Sequence, residues 1–542
     1  MPESWEPRLL TLPNLLRNTA QAYGTRTAIH APSGTQNWAQ YIDEVARNAC
    51  MLQSLGLKPG QRFGTLCRNS VRHASLLRGG YWAGIVPIPM NFRLAGLDIA
   101  WMLENSGCSL LMLDEELLYL LDQPQLSQWR ERAVSVGQHT AAPGIPATDA
   151  LLDKAEPVSP HPVRETDTAL HLYTGGTTGR GKGVSLSHRN IVANAMQLAR
   201  VMAPSPDDIY LHVSPMFHST DLKATVVSMF GGGHVYVKDA SPEAVLEAIE
   251  AHGVTIASLL PSMITRILKE TSIDRYQLDS LRLISYGTSA LDEASLRQAT
   301  QAFSHVGFHQ CYGLTETSPY IAILDEAAHR RAVTDRPDLL KAAGRVLPGT
   351  LLRLLDEQGK EVPVGSPGEI VIAGPQVAQG YVGLPDEQAR VFRGNEFHTG
   401  DIGRIDEDGF LYILDRKQEV VACRGRHVYT KDVEEVLHRC PGIAEAAVIG
   451  VPDAGTGEAL LAVLVADGDI PPTPEAIVDF CLPHLEPGLV PRLFMFVDLL
   501  PRTSLGKIKK LELEQAYMAL GQDADFFHDP LSNVSLSPSK SR

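Results

Sequence analysis

The chain has 542 residues, 44% of them hydrophobic, and a formal net charge of −15. It is too long for one ordinary core, so roughly two to four domains or subdomains are expected. Its negative balance disfavours nucleic acid or an anionic membrane as the main partner, and any anionic ligand must therefore meet a local cationic pocket.

The first residues, MPESWEPRLL, are acidic and interrupted by proline, unlike the basic start and apolar run of a secretory signal. No stretch approaches the ~18 uninterrupted apolar residues of a membrane-spanning helix. Seven scattered cysteines form no CxxC pair or metal-ligand spacing, so a reducing cytoplasm is the expected setting. From about residue 60 short apolar runs alternate with amphipathic stretches, the rhythm of βαβ units in a doubly wound sheet, and the fold class is α/β. Tyr81 to Asn91 reads as a strand closed by prolines. Ala169 to Tyr173 and Gly183 to Leu186 read as strands on either side of a Gly/Thr loop, with a helix only after Ser187, a predicted N-cap. Ile191, Ala195, Leu198 and Met202 then repeat on one face of that helix.

Ile209 to Val213 and Val235 to Val237 read as further strands. Val245, Leu246 and Ile249 mark a helix between Pro242 and His252, and strands follow at Val254 to Leu260 and Leu281 to Gly287. From about residue 350 the texture changes to short strands with Gly/Pro/Asp turns, read as a small β-barrel-like part. After Asp415 the chain turns basic, with Arg416, Lys417, Arg424, Arg426 and Lys431 close together. The expected organisation is a large N-terminal domain over 1–415, a small mobile α+β domain over 416–525 and a flexible Ser-rich tail over 526–542.

Leu172 to Asn190, LYTGGTTGRGKGVSLSHRN, almost spells a phosphate loop, with Gly176, Gly181 and Lys182 in place but Gly183 where a hydroxyl should follow the lysine. Because it joins two strands and does not cap a helix, it suits a flap of backbone N–H groups and hydroxyls closing over a polyphosphate. Further on, QCYGLTETSP holds Tyr312, Gly313, Thr315 and Glu316: a flat aromatic face, a hydroxyl and a hard carboxylate ligand. FHTGDIGRIDEDG holds Asp401, an ionised acceptor suited to two hydroxyl donors, and YILDRKQ holds Arg416. LPRTSLGKIKK holds Lys507, and SPMFHS holds His218. Each element alone also has an ordinary reading: a turn, a solvated ion pair, a basic surface cluster, or a structural histidine. Their order along one chain is what makes chance assembly remote.

Together these elements resemble the acyl-adenylate-forming enzymes: acyl-CoA synthetases, adenylation domains of nonribosomal peptide synthesis, and luciferase. The resemblance spans about residues 10 to 515 and is nearest to fatty-acid or aryl-acid CoA ligases. It implies that Thr174, Gly175, Gly176, Thr177, Thr178, Gly179 and Lys182 grip the β- and γ-phosphates of ATP. It places Gly287, Thr288, Ser289, Tyr312 and Gly313 around adenine and the acyl group, and Asp401 with Arg416 at the ribose. Lys507, His218, Thr315 and Glu316 become the catalytic set, with Glu316 also holding Mg²⁺. Lys507 would screen the repulsion between a substrate carboxylate and the α-phosphate.

The implied activity is an ATP-dependent carboxylic acid:CoA ligase. A carboxylate and ATP give acyl-AMP and pyrophosphate, and the CoA thiol then displaces AMP. The alternatives are transfer to the pantetheine thiol of a carrier protein and, from another class, a non-catalytic nucleotide-binding scaffold. An amino-acid substrate is disfavoured because no Phe-Asp-x-Ser element stands between Pro215 and Leu222. The oligomeric state is left open, a homodimer included. Gln418 and the Val428-Tyr429-Thr430 segment depart from the family pattern near the hinge. Asp221 and Lys223, polar for an alkyl tunnel, are read as facing water on a helix.

Overall fold

The computed structural model describes residues 9–520 except 138–143, 175–180, 289–290, 292, 424–425, 454–456, 469 and 503–506. Near the N-terminus, Val86–Pro89, Arg62–Leu66, Leu110–Asp114 and Ala133–Val136 lie side by side as a parallel sheet. The stretch expected as one strand from Tyr81 divides here. Tyr81 to Ala83 close the helix Val71–Ala83, Gly84 caps it in the left-handed region at φ 68°, and only Val86–Pro89 is strand.

The central sheet supplies the platform for the site. Gly233–Tyr236, Ile209–His212, Ile256–Leu259, Leu283–Gly287 and Gly307–Gly313 run parallel. Side chains alternate between its faces. Ile256 and Leu283 pack with Leu198 and Met202 of the helix His188–Met202, while Ala257 and Ile284 pack with Val245, Leu246 and Ile249 of the helix Pro242–His252. Ser187 caps the first of these helices as expected, its hydroxyl accepting from the Asn190 N–H, and Ile191, Ala195, Leu198 and Met202 are all buried. Both faces are thus covered, the condition for a doubly wound parallel sheet.

Past Gly313 the sheet turns antiparallel through Tyr320–Leu324 and Ala342–Val346. The β-rich part expected after residue 350 is an antiparallel meander of Leu351–Leu355, Gly368–Ala373, Glu396–Ile405 and Leu411–Arg416, which joins the central sheet where Ala342–Val346 pairs with Leu411–Arg416. A separate hairpin, Thr168–Tyr173 with Gly183–Ser187, carries the Gly/Thr loop at its tip, and Gly380–Tyr381 adds to its edge.

Beyond the meander, Arg426–Val428, Val421–Cys423, Gly457–Ala466, Ile443–Asp453 and Leu493–Phe496 form a mixed sheet. Val448, Leu460 and Ala462 face the helices Thr430–Leu437 and Pro474–Cys481. Ile449, Leu461 and Val463 face Leu513 and Tyr517 of Lys510–Leu520. No helix among the described residues is long and apolar enough to cross a membrane.

Candidate active site

A cavity of about 940 Å³ opens beyond the carboxyl ends of the parallel strands, the usual place for a ligand in an open α/β sheet. Among its described lining residues are nine lysines and arginines against four aspartates and glutamates, although the whole chain is acidic. The cationic pocket demanded by the net charge is therefore built locally.

Of the residues singled out in the sequence, Thr174, Lys182, His218, Thr288, Gly313, Thr315, Glu316, Arg416 and Lys507 line this one cavity. Gly287, Tyr312 and Asp401 lie in the adjoining strands or bond to lining residues. Gly175, Gly176, Thr177, Thr178, Gly179 and Ser289 lie outside the described residues. Two glycines are required by close approach: a Cβ at Gly313 would stand 1.9 Å from the Pro319 carbonyl oxygen, and one at Gly287 2.5 Å from that of Cys311. Thr288, directly after the strand, holds φ at 71°, a costly conformation for a β-branched residue at the cavity wall.

Asp401 and Arg416 are register partners across two antiparallel strands, so their side chains meet on one face. Arg416 Nε lies 2.8 Å from Asp401 Oδ1, and the Tyr312 hydroxyl donates to Oδ2 at 2.6 Å. The buried carboxylate keeps lone pairs for further donors.

Thr315 and Glu316 sit in a one-turn 3₁₀ segment held by the Thr317 hydroxyl, which accepts from the Leu314 N–H and donates to the Pro319 carbonyl. Thr315 Oγ1 lies 3.1 Å from Ser219 Oγ, tying this turn to the segment after His218. Glu316 is buried and accepts a 2.7 Å hydrogen bond from the Tyr381 hydroxyl on Oε1, while no described donor bonds Oε2. Among the described residues no cluster of three or more His, Cys, Asp or Glu forms a cation cage. One carboxylate oxygen facing a phosphate-sized cavity fits Mg²⁺, which takes few protein ligands and completes its shell with phosphate and water.

Lys182 reaches from the hairpin to Glu387 at 2.7 Å, with its ammonium 5.4 Å from the centre of the Tyr381 ring. His218 Nδ1 lies 2.9 Å from the Thr220 hydroxyl and accepts from the Thr220 N–H at 3.3 Å, an arrangement that suits the tautomer with its proton on Nε2. Burial lowers the His218 pKa to about 4 and keeps the ring neutral. Lys507 is open to the solvent of the cavity yet walled by protein, and desolvation followed by repulsion from Arg416 lowers its pKa to about 8.

The structure adds residues that carry no local signal in the sequence. Tyr381 and Glu387 reach the site only because Gly380–Tyr381 pairs with the loop hairpin, a contact between segments about two hundred residues apart. The expectation that Asp221 and Lys223 face water is corrected. Asp221 binds His212 Nδ1 at 2.6 Å, and Lys223 is 1% exposed, because the short helix Ser219–Lys223 packs down onto the central sheet. Of the basic residues after the meander, Arg426 is exposed and paired with Glu486, Lys431 is exposed, and Arg424 lies outside the described residues.

Comparison with known proteins gives one consistent picture. Residues 16–382 match the model of the AMP-binding enzyme family, and residues 432–507 that of the AMP-binding enzyme C-terminal domain. A fatty acid–[acyl-carrier-protein] ligase, ScoC, from Streptomyces coeruleorubidus is 33% identical over 94% of this chain and 97% of its own. A feruloyl-CoA synthase from an Amycolatopsis species is 32% identical over 91% and 96%. Among solved structures, ATP-bound MatB from Rhodopseudomonas palustris superposes with a TM-score of 0.82 at 28% identity, covering 93% of this chain and 99% of that one. The o-succinylbenzoate CoA synthetase MenE from Bacillus subtilis, in complex with its acyl-adenylate, gives 0.81 at 25% identity, covering 95% and 99%.

Proposed function

The chain belongs to the AMP-binding enzyme family, and from that premise we propose how its residues divide the work of an ATP-dependent acid–thiol ligase. A carboxylate oxygen attacks the α-phosphorus of ATP, pyrophosphate leaves, and the acyl-adenylate is then attacked by the CoA thiol with AMP as leaving group. The observation that carries this reading is the convergence of Lys507, from the last sixth of the chain, with Arg416, Thr315, Glu316 and Lys182 around one cavity.

Asp401, aligned by Tyr312 and Arg416, accepts the ribose hydroxyls. Lys182 and the Gly/Thr loop take the β- and γ-phosphates. Thr315 donates to the α-phosphate, while His218 offers its Nε2 proton to the carboxylate end of the acid. Protonated Lys507 bridges carboxylate and α-phosphate, lowering the cost of bringing two anions together as the bond forms. Glu316 is the residue that would hold Mg²⁺, whose contribution is to neutralise phosphate charge. We place the boundary of the small mobile domain at residue 416, where Arg416, Lys417 and Gln418 line the cavity between the meander and the second sheet. Rotation there would withdraw Lys507 and admit the thiol. The seven free cysteines support a cytoplasmic setting.

The likeness to an acyl-carrier-protein ligase favours a second reading of the acceptor, a pantetheine thiol on a carrier protein. Pyrophosphate release measured over a panel of acids, with and without CoA, tests both. Acid-dependent release followed by a CoA thioester supports the ligase; release with transfer only to a carrier supports the second reading. No release with any acid removes both.

A further inference from the structure

On the face of the central sheet covered by the helix His188–Met202, apolar side chains give way to polar ones just below the cavity. Ile256 and Leu283 are followed two residues later by Ser258 and Ser285, themselves register partners. Into this patch the helix Ser219–Lys223 inserts a lysine. Lys223 Nζ lies 2.7 Å from Ser285 Oγ, 3.5 Å from both Ser258 Oγ and Cys311 Sγ, and 4.7 Å from the centre of the Tyr320 ring. The bond to Ser285 is of ordinary length, 3.5 Å is ordinary for a donor to sulfur, and the contact with Ser258 is long.

Lys223 is 1% exposed, and among the described residues no carboxylate pairs with it. Asp221, the nearest acid in sequence, is engaged with His212. A buried ammonium without a counter-charge is destabilising, and its burial lowers its pKa. Cys311 and Tyr320, which touch it, both form the cavity wall, as do Ser219 and Thr220 at the start of its own segment. Lys223 therefore stands directly behind the part of the cavity wall that lies next to His218 and Thr315.

Resting on the ligase reading above, we propose that Lys223 determines specificity: it closes the acyl pocket to long unbranched alkyl chains and selects acids that carry an anionic or accepting oxygen at the end remote from the reacting carboxylate. A methyl end placed against this wall gains nothing from the amine behind it, whereas an anionic or accepting oxygen there favours the protonated amine and is attracted to it across a thin, low-dielectric layer.

The test compares straight-chain monocarboxylic acids of four to ten carbons with the matching α,ω-dicarboxylic acids and (ω−1)-keto acids, by pyrophosphate release in the wild type, Lys223→Met and Lys223→Arg. At one chain length the wild type is expected to prefer an oxygen-bearing acid over its methyl-ended counterpart by at least about tenfold. Lys223→Met should erase or reverse that preference, and Lys223→Arg should retain part of it. The dicarboxylic and keto arms separate an anionic from a neutral acceptor. The same ratios are read independently of turnover from calorimetric binding of the corresponding acyl-sulfamoyl adenosines, so a protein that fails to release pyrophosphate sinks the ligase reading without deciding this one. Equal ratios in wild type and Lys223→Met, or a Lys223→Met protein that melts much lower and loses all acids alike, would overturn the proposal.

Discussion

Asp401 and Arg416 face each other across adjacent antiparallel strands, with Arg416 Nε 2.8 Å from Asp401 Oδ1 and the Tyr312 hydroxyl 2.6 Å from Oδ2. Two donors from protein fix the carboxylate, and its remaining lone pairs are left for further donors, which in the proposed reading are the ribose hydroxyls. Asp401→Ala is expected to lower kcat/KM for ATP by roughly 10²–10⁴-fold, from two lost hydrogen bonds to a charged group at about 1.5–3 kcal/mol each. Substrate analogues check the cause. The wild type should discriminate against 3′-deoxy-ATP, and Asp401→Ala should treat ATP and 3′-deoxy-ATP alike; discrimination that survives the substitution would place the ribose elsewhere.

Lys507 makes a prediction in pH. Its ordinary value near 10.5 falls to about 8 through desolvation and the charge of Arg416, so the free enzyme loses this proton as the pH rises through about 8. Since the protonated form is the one that screens two anions, kcat/KM for adenylation should decline above that pH. Lys507→Ala should lower pyrophosphate exchange by about 10²–10³-fold and abolish the alkaline limb. Thioester formation from synthetic acyl-adenylate and CoA should change far less, because in the proposed cycle that step follows withdrawal of the lysine. Equal loss in both half-reactions would deny the lysine its specific role.

The part of this site that could be read from the sequence is the part encoded in contiguous segments. Thr315 with Glu316, Asp401, Arg416 and Lys507 each sit in a short stretch whose residue types announce their chemistry, and the capped helix after Ser187 follows from local periodicity. The burial of Lys223 was not legible, because a lysine after Asp221 on a short polar helix looks solvated until the sheet beneath it is known. Tyr381 was silent for a related reason. Its approach to Glu316 depends on strand pairing between Gly380–Tyr381 and the loop hairpin, and no local pattern encodes register between distant segments. The strand expected from Tyr81 failed at Gly84, where an apolar run conceals a helix end that only the left-handed glycine marks.

His218 is expected to act without titrating. Its pKa of about 4, lowered by burial, leaves the ring neutral from pH 5 upward, and the Thr220 N–H on Nδ1 suits the tautomer with its proton on Nε2. No acid limb between pH 5 and 7 should therefore arise from this residue. His218→Ala should reduce kcat/KM for the acid by about 10–10²-fold, the value of one hydrogen bond to a charged group, with a loss that is constant over that range. A loss that appears only above pH 6 would mean a histidine that titrates and a different environment.

Tyr381 and Glu316 yield the last test. The Tyr381 hydroxyl donates to Glu316 Oε1 at 2.7 Å, and burial together with the neighbouring carboxylate raises the phenol pKa, so it remains a donor at all working pH values. With one oxygen thus held, the carboxylate would present Oε2 to the proposed cation in a fixed orientation, the usual effect of an outer hydrogen bond on a metal ligand. At saturating ATP, Glu316→Gln should raise the Mg²⁺ concentration for half-maximal adenylation by about 10²-fold, whereas Tyr381→Phe should raise it by roughly tenfold and leave KM for the acid unchanged. Titration of activity with Mg²⁺ in the three proteins reads this directly. Superimposable curves would show that the carboxylate serves the turn around Thr315 and holds no cation.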